Sequence, residues 1–352
     1  MIEASRQEQH REIGSNITLE QWYSSPEKRL VESKVAEKIN KFPESQIRNI
    51  LLERVAIGKR IRPFLFFLMN SGKGDAEMIG SISAAIELVH QSSLIFDDTI
   101  DEHSVREGNR KSIHNLFGNR IESAGIADHL AEYLFSLYEQ SIDELDLSDT
   151  KKLQIKARSA EMKQQMVIAQ LADKLVLKKP SQMKWTEWCF SHSYPKTSEL
   201  MAFPFIITGI IQDFTPEQQK QMKECGEALG KIYQMYDDLQ DLRVAIQVGL
   251  LSLSYSLAVL LDNPQELDAD SYAILEKITR EREILPSDVE KVNKIFSSKA
   301  DYIANAVEQE IKKLATLISL PIGVSGKAEI EKIVRLANQG SYWEYQVPTS
   351  KQ

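Results

Sequence analysis

Two copies of the five-residue pattern Asp-Asp-x-x-Asp hold the side chains of this sequence that are best suited to chemistry. Carboxylates four residues apart share one face of a helix, and gathering several of them is costly unless cations neutralise them. Oxygen ligands without histidine or cysteine suit hard ions, above all Mg²⁺, which binds through a few carboxylates and substrate phosphates. The pattern predicts a metal–diphosphate site, with two coincidentally acidic helix surfaces as the alternative. The six carboxylates are Asp97, Asp98, Asp101, Asp237, Asp238 and Asp241.

Basic residues that could hold phosphate lie in three other places. Arginine binds phosphate through paired hydrogen bonds, and lysine acts as a point charge. Basic clusters are usually solvated surface, but the first of these adjoins apolar sequence, so together with the acidic patterns they suggest a diphosphate substrate. His90 lies two helical turns before the first acidic pattern, where a lone histidine is more often a core residue than a ligand. The basic residues are Lys59, Arg60 and Arg62 in a turn, Arg106 and Arg110 after the first acidic pattern, and Lys196 before Thr197.

The elements that must position these side chains are predicted to be helices. Gly and Pro are sparse among the 352 residues, and apolar residues recur at helical spacing almost throughout. We therefore expect one all-α domain spanning residues 1–352, with residues 1–25 as a polar, poorly ordered segment and 102–111 as a loop. The predicted helices cover Glu27–Ile39, a helix starting at Pro43, a helix starting at Phe64, Ala76–Asp101, Ile121–Ser141, Thr150–Leu175, Lys184–Leu200, Pro204–Gln212, Pro216–Asp241, Leu250–Leu261 and two amphipathic helices within Asp288–Asn338.

Charge and cysteine content restrict the classes of function. A net charge of −8 argues against a general nucleic-acid surface, which needs basic residues to neutralise phosphates. Cys189 and Cys225 have no metal-ligand spacing and indicate buried thiols in a reducing compartment, so a cytoplasmic location is expected. The sequence predicts no membrane span, because the longest apolar candidate, Val244–Leu261, is interrupted by polar residues and is expected to be a buried helix.

The order and spacing of these parts resemble the trans-isoprenyl diphosphate synthases, the polyprenyl synthetase family. The resemblance runs from about Ile47 to Leu261 and implies a large helical bundle around a deep central cavity, usually as a homodimer. The stretches that carry it are Gly58-Lys59-Arg60-Ile61-Arg62-Pro63, Glu87-Leu88-Val89-His90 before the first acidic pattern, then Arg106, Gly108 and His114, then Lys196-Thr197, and Tyr233-Gln234-Met235-Tyr236 before the second acidic pattern.

The resemblance implies a role for each candidate residue. Three Mg²⁺ would bind an allylic diphosphate, with Asp97, Asp101 and Asp237 as direct ligands and Asp98, Asp238 and Asp241 supporting them. The allylic diphosphate would lose its diphosphate group in an apolar cavity, and isopentenyl diphosphate would attack the resulting cation. The product could be released with peripheral membrane contact. The other implied roles are Arg106 and Lys196 on the allylic diphosphate, Lys59, Arg62 and His90 on isopentenyl diphosphate, and Thr197 and Gln234 at the reacting centre.

In this family, the side chains just before the first acidic motif set the product length, because bulky aromatic residues there close the end of the cavity. Ser92 and Ser93 are small, which predicts a product longer than fifteen carbons. The alternative is that Phe135 or Tyr138, on the next predicted helix, closes the cavity instead.

Two departures from the family pattern concern the second substrate. Glu107 stands where a second arginine is expected, and a carboxylate near a diphosphate is repulsive. The lysines expected after the second motif are absent from Leu242–Leu253, where only Arg243 could compensate. Three hypotheses stay open: a chain-elongating synthase, a terpene cyclase or prenyltransferase with another acceptor, and a non-catalytic subunit of a heteromeric synthase. The third ranks last, since both acidic motifs are complete.

Overall fold

The structure is a computed structural model of the chain. The structure describes residues 18–318, except 57, 71–72, 101–104, 107–109, 118, 176–178, 248–252 and 282–283. For residues 105–106, 110, 120, 174–175, 240–245 and 247 it describes the backbone alone. These residues form two compact units, the first comprising residues up to Arg158 with Pro204–Phe214, the second comprising Ser159–Phe203 with the residues from Thr215 onward.

The first unit is a helical bundle with its core around the helix that carries the first acidic motif. It also contains a two-residue antiparallel ladder, β1 (Val105–Arg106) with β2 (Arg110–Lys111), in the segment predicted to be a loop. The helices are α1 (Leu19–Trp22), α2 (Pro26–Ile39), α3 (Ser45–Ala56), α4 (Ile61–Asn70), α5 (Ala76–Ile100), α6 (Arg120–Asp143), with a 3-10 turn at Ile113–Asn115, and the first part of α7 (Asp149–Leu175).

The second unit is also helical. It contains the remainder of α7 and most of the C-terminal half of the described chain. Its elements are α8 (Trp185–Trp188), a π-helical turn at Cys189–Ser193, α9 (Pro195–Ile211, up to Phe203), α10 (Pro216–Gln247), α11 (Tyr255–Asp262), a 3-10 turn at Pro264–Glu266, α12 (Ala269–Glu281), α13 (Val289–Ser298) and α14 (Ala300–Thr316).

Local sequence explains where several helices begin. The Ser25 hydroxyl accepts a hydrogen bond from the Lys28 backbone N–H, and Pro26 occupies the first helical position of α2. The second predicted helix begins at Ser45 rather than at Pro43, because the Glu44 carboxylate accepts the backbone N–H groups of Gln46 and Ile47.

The core of the first unit is assembled around α5. Leu88 and Ile95 are buried, and α5 packs against α2, α4 and α6. Trp22 of α1 is fully buried against Phe64 and Phe67 of α4, with ring centroids 5.5 and 5.3 Å apart. The polar N-terminal segment expected through residue 25 is therefore shorter than predicted. Residues 1–17 of that prediction lie outside the described part of the chain.

Among the described residues, the longest apolar helix is α5 rather than the predicted candidate Val244–Leu261. Among the described residues, it is the helix long and apolar enough to cross a membrane by length and composition. Its most apolar window is 72% buried inside the protein, which is the burial of a core helix. The predicted candidate Val244–Leu261 is not one helix: α10 extends to Gln247, and α11 begins at Tyr255.

Other predicted boundaries were wrong in the second half of the chain. The helix predicted at Lys184–Leu200 is divided into α8, the π-helical turn and the start of α9. Pro204, predicted to begin a helix, lies inside α9, and α12 was not predicted. The two C-terminal amphipathic helices are present as α13 and α14, and residues 319–338 of that prediction lie outside the described residues.

Candidate active site

The basic turn before α4 contains one arginine that is part of the protein interior. Arg60 has a positive φ of 56° and is buried, with Nη1 donating to Glu87 Oε1 at 2.8 Å and Nη2 donating to the Val55 carbonyl. A Cβ on Gly58 would lie 2.3 Å from Arg60 Nη1, so a side chain at position 58 would displace the guanidinium. Arg60 therefore has a structural role: it fixes the conformation of the turn. This role distinguishes Arg60 from Lys59 and Arg62, the other two basic residues of the turn.

The residues predicted to bind isopentenyl diphosphate are Lys59, Arg62 and His90. Arg62, the second residue of α4, is buried, and its Nη1 lies 3.0 Å from Nε2 of His90 on α5. Lys59 is exposed at the start of the same turn. The structure thus brings Arg62 and His90 into direct contact. Lys59 lies at the surface, next in sequence to the buried Arg60.

The two described members of the first acidic motif differ in environment. Asp97 is partly exposed near the C-terminal end of α5, whereas Asp98 is 2% exposed. Asp98 Oδ2 accepts a hydrogen bond from Arg54 Nη2 of α3 at 3.1 Å, which makes a buried ion pair. Asp101 lies outside the described residues.

The second acidic motif lies in α10 of the second unit. Gln234 Nε2 donates to Asp238 Oδ1 at 2.8 Å, and the Tyr194 hydroxyl donates to Asp238 Oδ2 at 2.6 Å. The Tyr255 backbone N–H at the start of α11 also donates to Asp238 Oδ2, at 3.3 Å. Asp237 is partly exposed, and the structure describes only the backbone of Asp241.

Burial shifts the pKa values of Asp238 and Tyr194. It raises the pKa of Asp238 to about 6, although the hydrogen bonds from Tyr194 and Gln234 and the charge of Lys196 oppose the shift. Burial and the Asp238 charge raise the pKa of the Tyr194 hydroxyl well above its usual value. The hydroxyl therefore stays protonated and remains a hydrogen-bond donor to the carboxylate.

The predicted catalytic residues Lys196 and Thr197 lie in the first turn of α9. The Thr197 hydroxyl donates to Gln234 Oε1, so Thr197, Gln234 and Asp238 form one hydrogen-bonded chain. Lys196 Nζ lies 2.9 Å from Asp173 Oδ2 of α7. Of the predicted residues of the second unit, the structure therefore joins Thr197, Gln234 and Asp238, and it places Lys196 against Asp173.

Asp173 is a residue of this site that the sequence reasoning missed. Its side chain is 3% exposed, and it accepts hydrogen bonds from Lys196 and from the Ser193 hydroxyl at 3.1 Å. An aspartate near the end of a long helix resembles ordinary surface charge. Only its helical spacing from buried positions such as Ala169, four residues earlier, could have indicated that Asp173 points inward.

The π-helical turn sets the directions of these side chains. π-Helical turns occur mostly as single turns and often at functional sites. Here the wider turn at Cys189–Ser193 runs directly into Tyr194 and α9, and the Tyr194 backbone N–H bonds to the Cys189 carbonyl. Ser193 and Tyr194, adjacent in sequence, thereby bond to Asp173 and Asp238 respectively.

Each acidic motif offers oxygen donors of the chemical type that a hard cation prefers. Asp97 of the first unit and Asp237 of the second unit are partly exposed, and Asp98 and Asp238 accept hydrogen bonds from Arg54 and Tyr194, respectively. Within the part of the chain that the structure describes, no three His, Cys, Asp or Glu side chains cluster as a metal site. The side chains of Asp101, Asp241 and Arg106 lie outside that part, and Arg106 contributes only its backbone to β1.

The sequence matches a known protein family. The polyprenyl synthetase family profile matches residues 44–248, more than half of the chain. Solanesyl diphosphate synthase 1 of Arabidopsis thaliana is 30% identical over 52% of this chain and 44% of the relative. Octaprenyl diphosphate synthase of Escherichia coli is 29% identical over 52% of this chain and 53% of the relative. The match thus spans about half the length of these curated relatives.

Solved structures show the same fold over most of the chain. Geranylgeranyl pyrophosphate synthetase from Pyrococcus horikoshii superposes with a TM-score of 0.70 at 23% identity, covering 89% of this chain and 95% of that one. Geranylgeranyl pyrophosphate synthase from Corynebacterium glutamicum, solved with isoprenyl diphosphate and magnesium, gives a TM-score of 0.72 at 16% identity, covering 89% and 98%. The predicted all-α, isoprenoid-synthase-type fold is confirmed, and the chain belongs to the polyprenyl synthetase family.

Proposed function

We propose that this protein is a Mg²⁺-dependent prenyltransferase that condenses an allylic prenyl diphosphate with isopentenyl diphosphate to give a longer trans-prenyl diphosphate. The observation that carries the proposal is the extent of the family match. Residues 44–248 include the basic turn, both acidic motifs and the Lys196-Thr197 pair.

The side chains have separate tasks in this proposal. Asp97, Asp101 and Asp237 would hold Mg²⁺, and the bound metal would withdraw charge from the diphosphate leaving group. Lys196, held by Asp173, and Arg106 would bind the allylic diphosphate. Lys59, Arg62 and His90 would bind isopentenyl diphosphate, and the contact between Arg62 and His90 supports a shared anion site.

The hydroxyl of Thr197 and the amide of Gln234 would face the developing allylic cation. Oxygen atoms oriented by hydrogen bonds stabilise positive charge without reorganising during the reaction. Gln234 is held from both sides, by the Thr197 hydroxyl and by Asp238, which supports a preorganised position for its carbonyl oxygen.

For the product, we propose a chain longer than fifteen carbons. Ser92 is buried and Ser93 bonds to the His90 carbonyl, so neither adds bulk to this turn of α5. Phe135 and Tyr138 on α6 are buried with ring centroids 5.5 Å apart, and they remain the alternative floor of the cavity. Chromatography of the dephosphorylated products of the wild-type protein and of Ser92→Phe tests the assignment: the aromatic residue should shorten the product.

A second candidate function keeps ionisation of the allylic diphosphate but uses another acceptor or cyclises the chain. The observation that favours it is Glu107, at the position where the family pattern has arginine. Glu107→Arg should improve the use of isopentenyl diphosphate if that contact has been lost, and an unchanged KM would count against this explanation.

One assay separates the two functions. Purified protein with Mg²⁺ is given C10, C15 and C20 allylic diphosphates, with and without isopentenyl diphosphate, and released diphosphate and prenyl products are measured. Elongation requires both substrates, and Asp97→Asn and Asp237→Asn should each lower kcat at least about a hundredfold. Diphosphate release with a hydrocarbon or alcohol product, independent of isopentenyl diphosphate, would overturn the elongation proposal.

We also propose a homodimer in the cytoplasm, with peripheral membrane contact limited to product release. Both cysteines, Cys189 and Cys225, are free and buried, which is compatible with a reducing compartment. Burial raises the pKa of both thiols, so they are expected to be unreactive.

A further inference from the structure

The buried ion pair between Arg54 and Asp98 joins the first acidic motif to a helix with no predicted catalytic role. Arg54 lies on α3, and its side chain is 9% exposed, against 2% for Asp98. The guanidinium Nη2 and the carboxylate Oδ2 are 3.1 Å apart. The adjacent carboxylate Asp97 is partly exposed, so neighbouring residues of one motif have different surroundings.

Helix geometry gives this pair a directional consequence. Successive residues of an α-helix point about 100° apart, whereas residues four apart return to nearly the same direction. A side chain at position 98 that is held against α3 therefore fixes the rotation of this turn of α5. Asp97, the residue before it, then points about 100° away from the direction that the pair occupies.

The burial of both charges makes the contact selective for one geometry. A buried carboxylate that loses its cation is strongly destabilised, so Asp98 is held where the Arg54 guanidinium can reach it. A charged hydrogen bond is also directional, unlike the apolar packing around it. Asp98 is consequently unavailable to rotate toward a cation at the partly exposed side of the motif.

We propose that Arg54 is a positioning residue of the first acidic motif. By holding Asp98 as an internal carboxylate, it orients Asp97 for a divalent cation and keeps Asp98 from ligating it. This inference rests on the proposed function, because it assumes that Asp97 binds metal during turnover.

The test measures metal binding rather than turnover. Mn²⁺ with inorganic diphosphate is the probe, and free Mn²⁺ is followed by electron paramagnetic resonance during titration of the full chain. Arg54→Met and Asp98→Asn should each weaken Mn²⁺ binding about tenfold to a hundredfold, the range found for residues that orient metal ligands. The double variant should regain thermal stability but bind no more tightly than either single variant, because both act through one contact.

Control variants make the result decisive. Arg54→Lys keeps the charge and should give an intermediate affinity, which also covers the case in which Arg54→Met does not fold. Glu144→Gln breaks the exposed ion pair with Lys38 and should leave Mn²⁺ affinity unchanged. Asp97→Asn should abolish binding of the probe.

Each alternative outcome has a defined meaning. Wild-type affinity in the double variant would overturn the proposal, since the pair would then serve stability alone. Unchanged or tighter binding in Arg54→Met, with loss in Asp98→Asn, would make Asp98 a direct ligand and also overturn it. Retained binding in Asp97→Asn would instead reject the proposed function, whereas loss in Asp97→Asn with no loss in Arg54→Met would reject this inference alone.

Discussion

Single residues of one charge type have different tasks in this protein, and their surroundings distinguish the tasks. In the basic turn, Arg60 is buried against Glu87 while Lys59, one residue earlier, is exposed. In the first acidic motif, Asp98 is buried against Arg54 while Asp97 is partly exposed. In both places the buried residue fixes the segment and leaves its neighbour accessible.

The basic turn yields a prediction that separates stability from substrate binding. Arg60→Met should lower the free energy of unfolding by about 3 to 5 kcal/mol, because Glu87 would remain buried without its cation. Lys59→Met should change that free energy by less than about 0.5 kcal/mol while raising the KM for isopentenyl diphosphate. Urea unfolding and steady-state kinetics check both. The double variant Arg60→Met with Glu87→Gln should recover part of the lost stability. Equal destabilisation by Arg60→Met and Lys59→Met would contradict the assignment.

Glu199 gives a prediction for pH dependence. Burial raises its pKa, and Glu227 and Glu161 add to the shift, although Lys223 at 3.4 Å opposes it. A carboxyl whose pKa is higher in the folded state binds its proton more tightly there. Its unfavourable contribution is thus absent below the unfolded pKa and develops as the pH rises through the folded pKa.

Glu199→Gln should therefore stabilise the protein at pH 7 by up to about 1 kcal/mol, and the gain should disappear below about pH 4. Urea midpoints of both proteins at pH 7 and pH 4 measure the difference. A loss of stability at pH 7 would mean that the ion pair with Lys223 outweighs burial. Glu144→Gln serves as the control with the opposite sign, since the hydrogen bond from Lys38 lowers the pKa of Glu144 and its stabilisation is lost as the pH falls.

At the scale of elements, the sequence predicted helices well and their interruptions poorly. The long helices α5, α6 and α7 follow from apolar spacing, and their ends differ from prediction by one or two residues. Pro204 was predicted to begin a helix because proline lacks the N–H that continues one. The structure tolerates it because its neighbours Phe203 and Phe205 are fully buried, so tertiary packing outweighs the lost hydrogen bond.

The π-helical turn and the partners of the site carboxylates could not be predicted for a related reason. Nothing in the composition of Cys189–Ser193 marks a wider turn, and its consequence is visible only in the contacts of Ser193 and Tyr194. Motif spacing identified the candidate ligands, but Arg54 and Asp173 belong to no motif. Their roles depend on which helices are neighbours in space.

The close approach of α9 and α10 gives a prediction at this scale. A Cβ on Gly230 would lie 2.4 Å from Ser198 Cα and 2.9 Å from Met201 Cβ, and backbone atoms cannot move aside cheaply. One helical turn after Gly230 lies Gln234, which receives the Thr197 hydrogen bond from α9. The missing side chain at position 230 is therefore what allows the hydrogen-bonded chain to Asp238 to form.

Gly230→Ala should thus cost about 1 to 3 kcal/mol of stability by overpacking and lower kcat by separating Thr197 from Gln234. Gly125 of α6 is the matched control, since nothing lies within 4 Å of the Cβ position there. Gly125→Ala should raise stability by up to about 1 kcal/mol through higher helix propensity and leave kcat unchanged. Thermal unfolding and product formation are measured for both, and equal effects of the two substitutions would contradict the role given to Gly230.

At the scale of the whole molecule, α7 presents an apolar surface that a homodimer would cover. Val167, Ile168 and Leu171 are 51%, 52% and 48% exposed, and their spacing places them on one side of the helix. Contiguous exposed aliphatic side chains form the kind of surface that protein–protein contacts cover. The homodimer implied by the family resemblance is therefore proposed to use this side of α7.

A charge in this patch should disrupt the dimer without unfolding the chain. Ile168→Glu places a carboxylate in the proposed interface, where its desolvation is unfavourable, yet it remains solvated in the monomer. Size-exclusion chromatography with light scattering should give a dimer for the wild-type protein and a monomer, or a dimer at least about tenfold weaker, for Ile168→Glu. Leu285→Glu, at a 40% exposed leucine between α12 and α13, is the control and should remain dimeric. A dimer of unchanged affinity in Ile168→Glu would move the interface away from α7, because a buried carboxylate at its centre could not be tolerated.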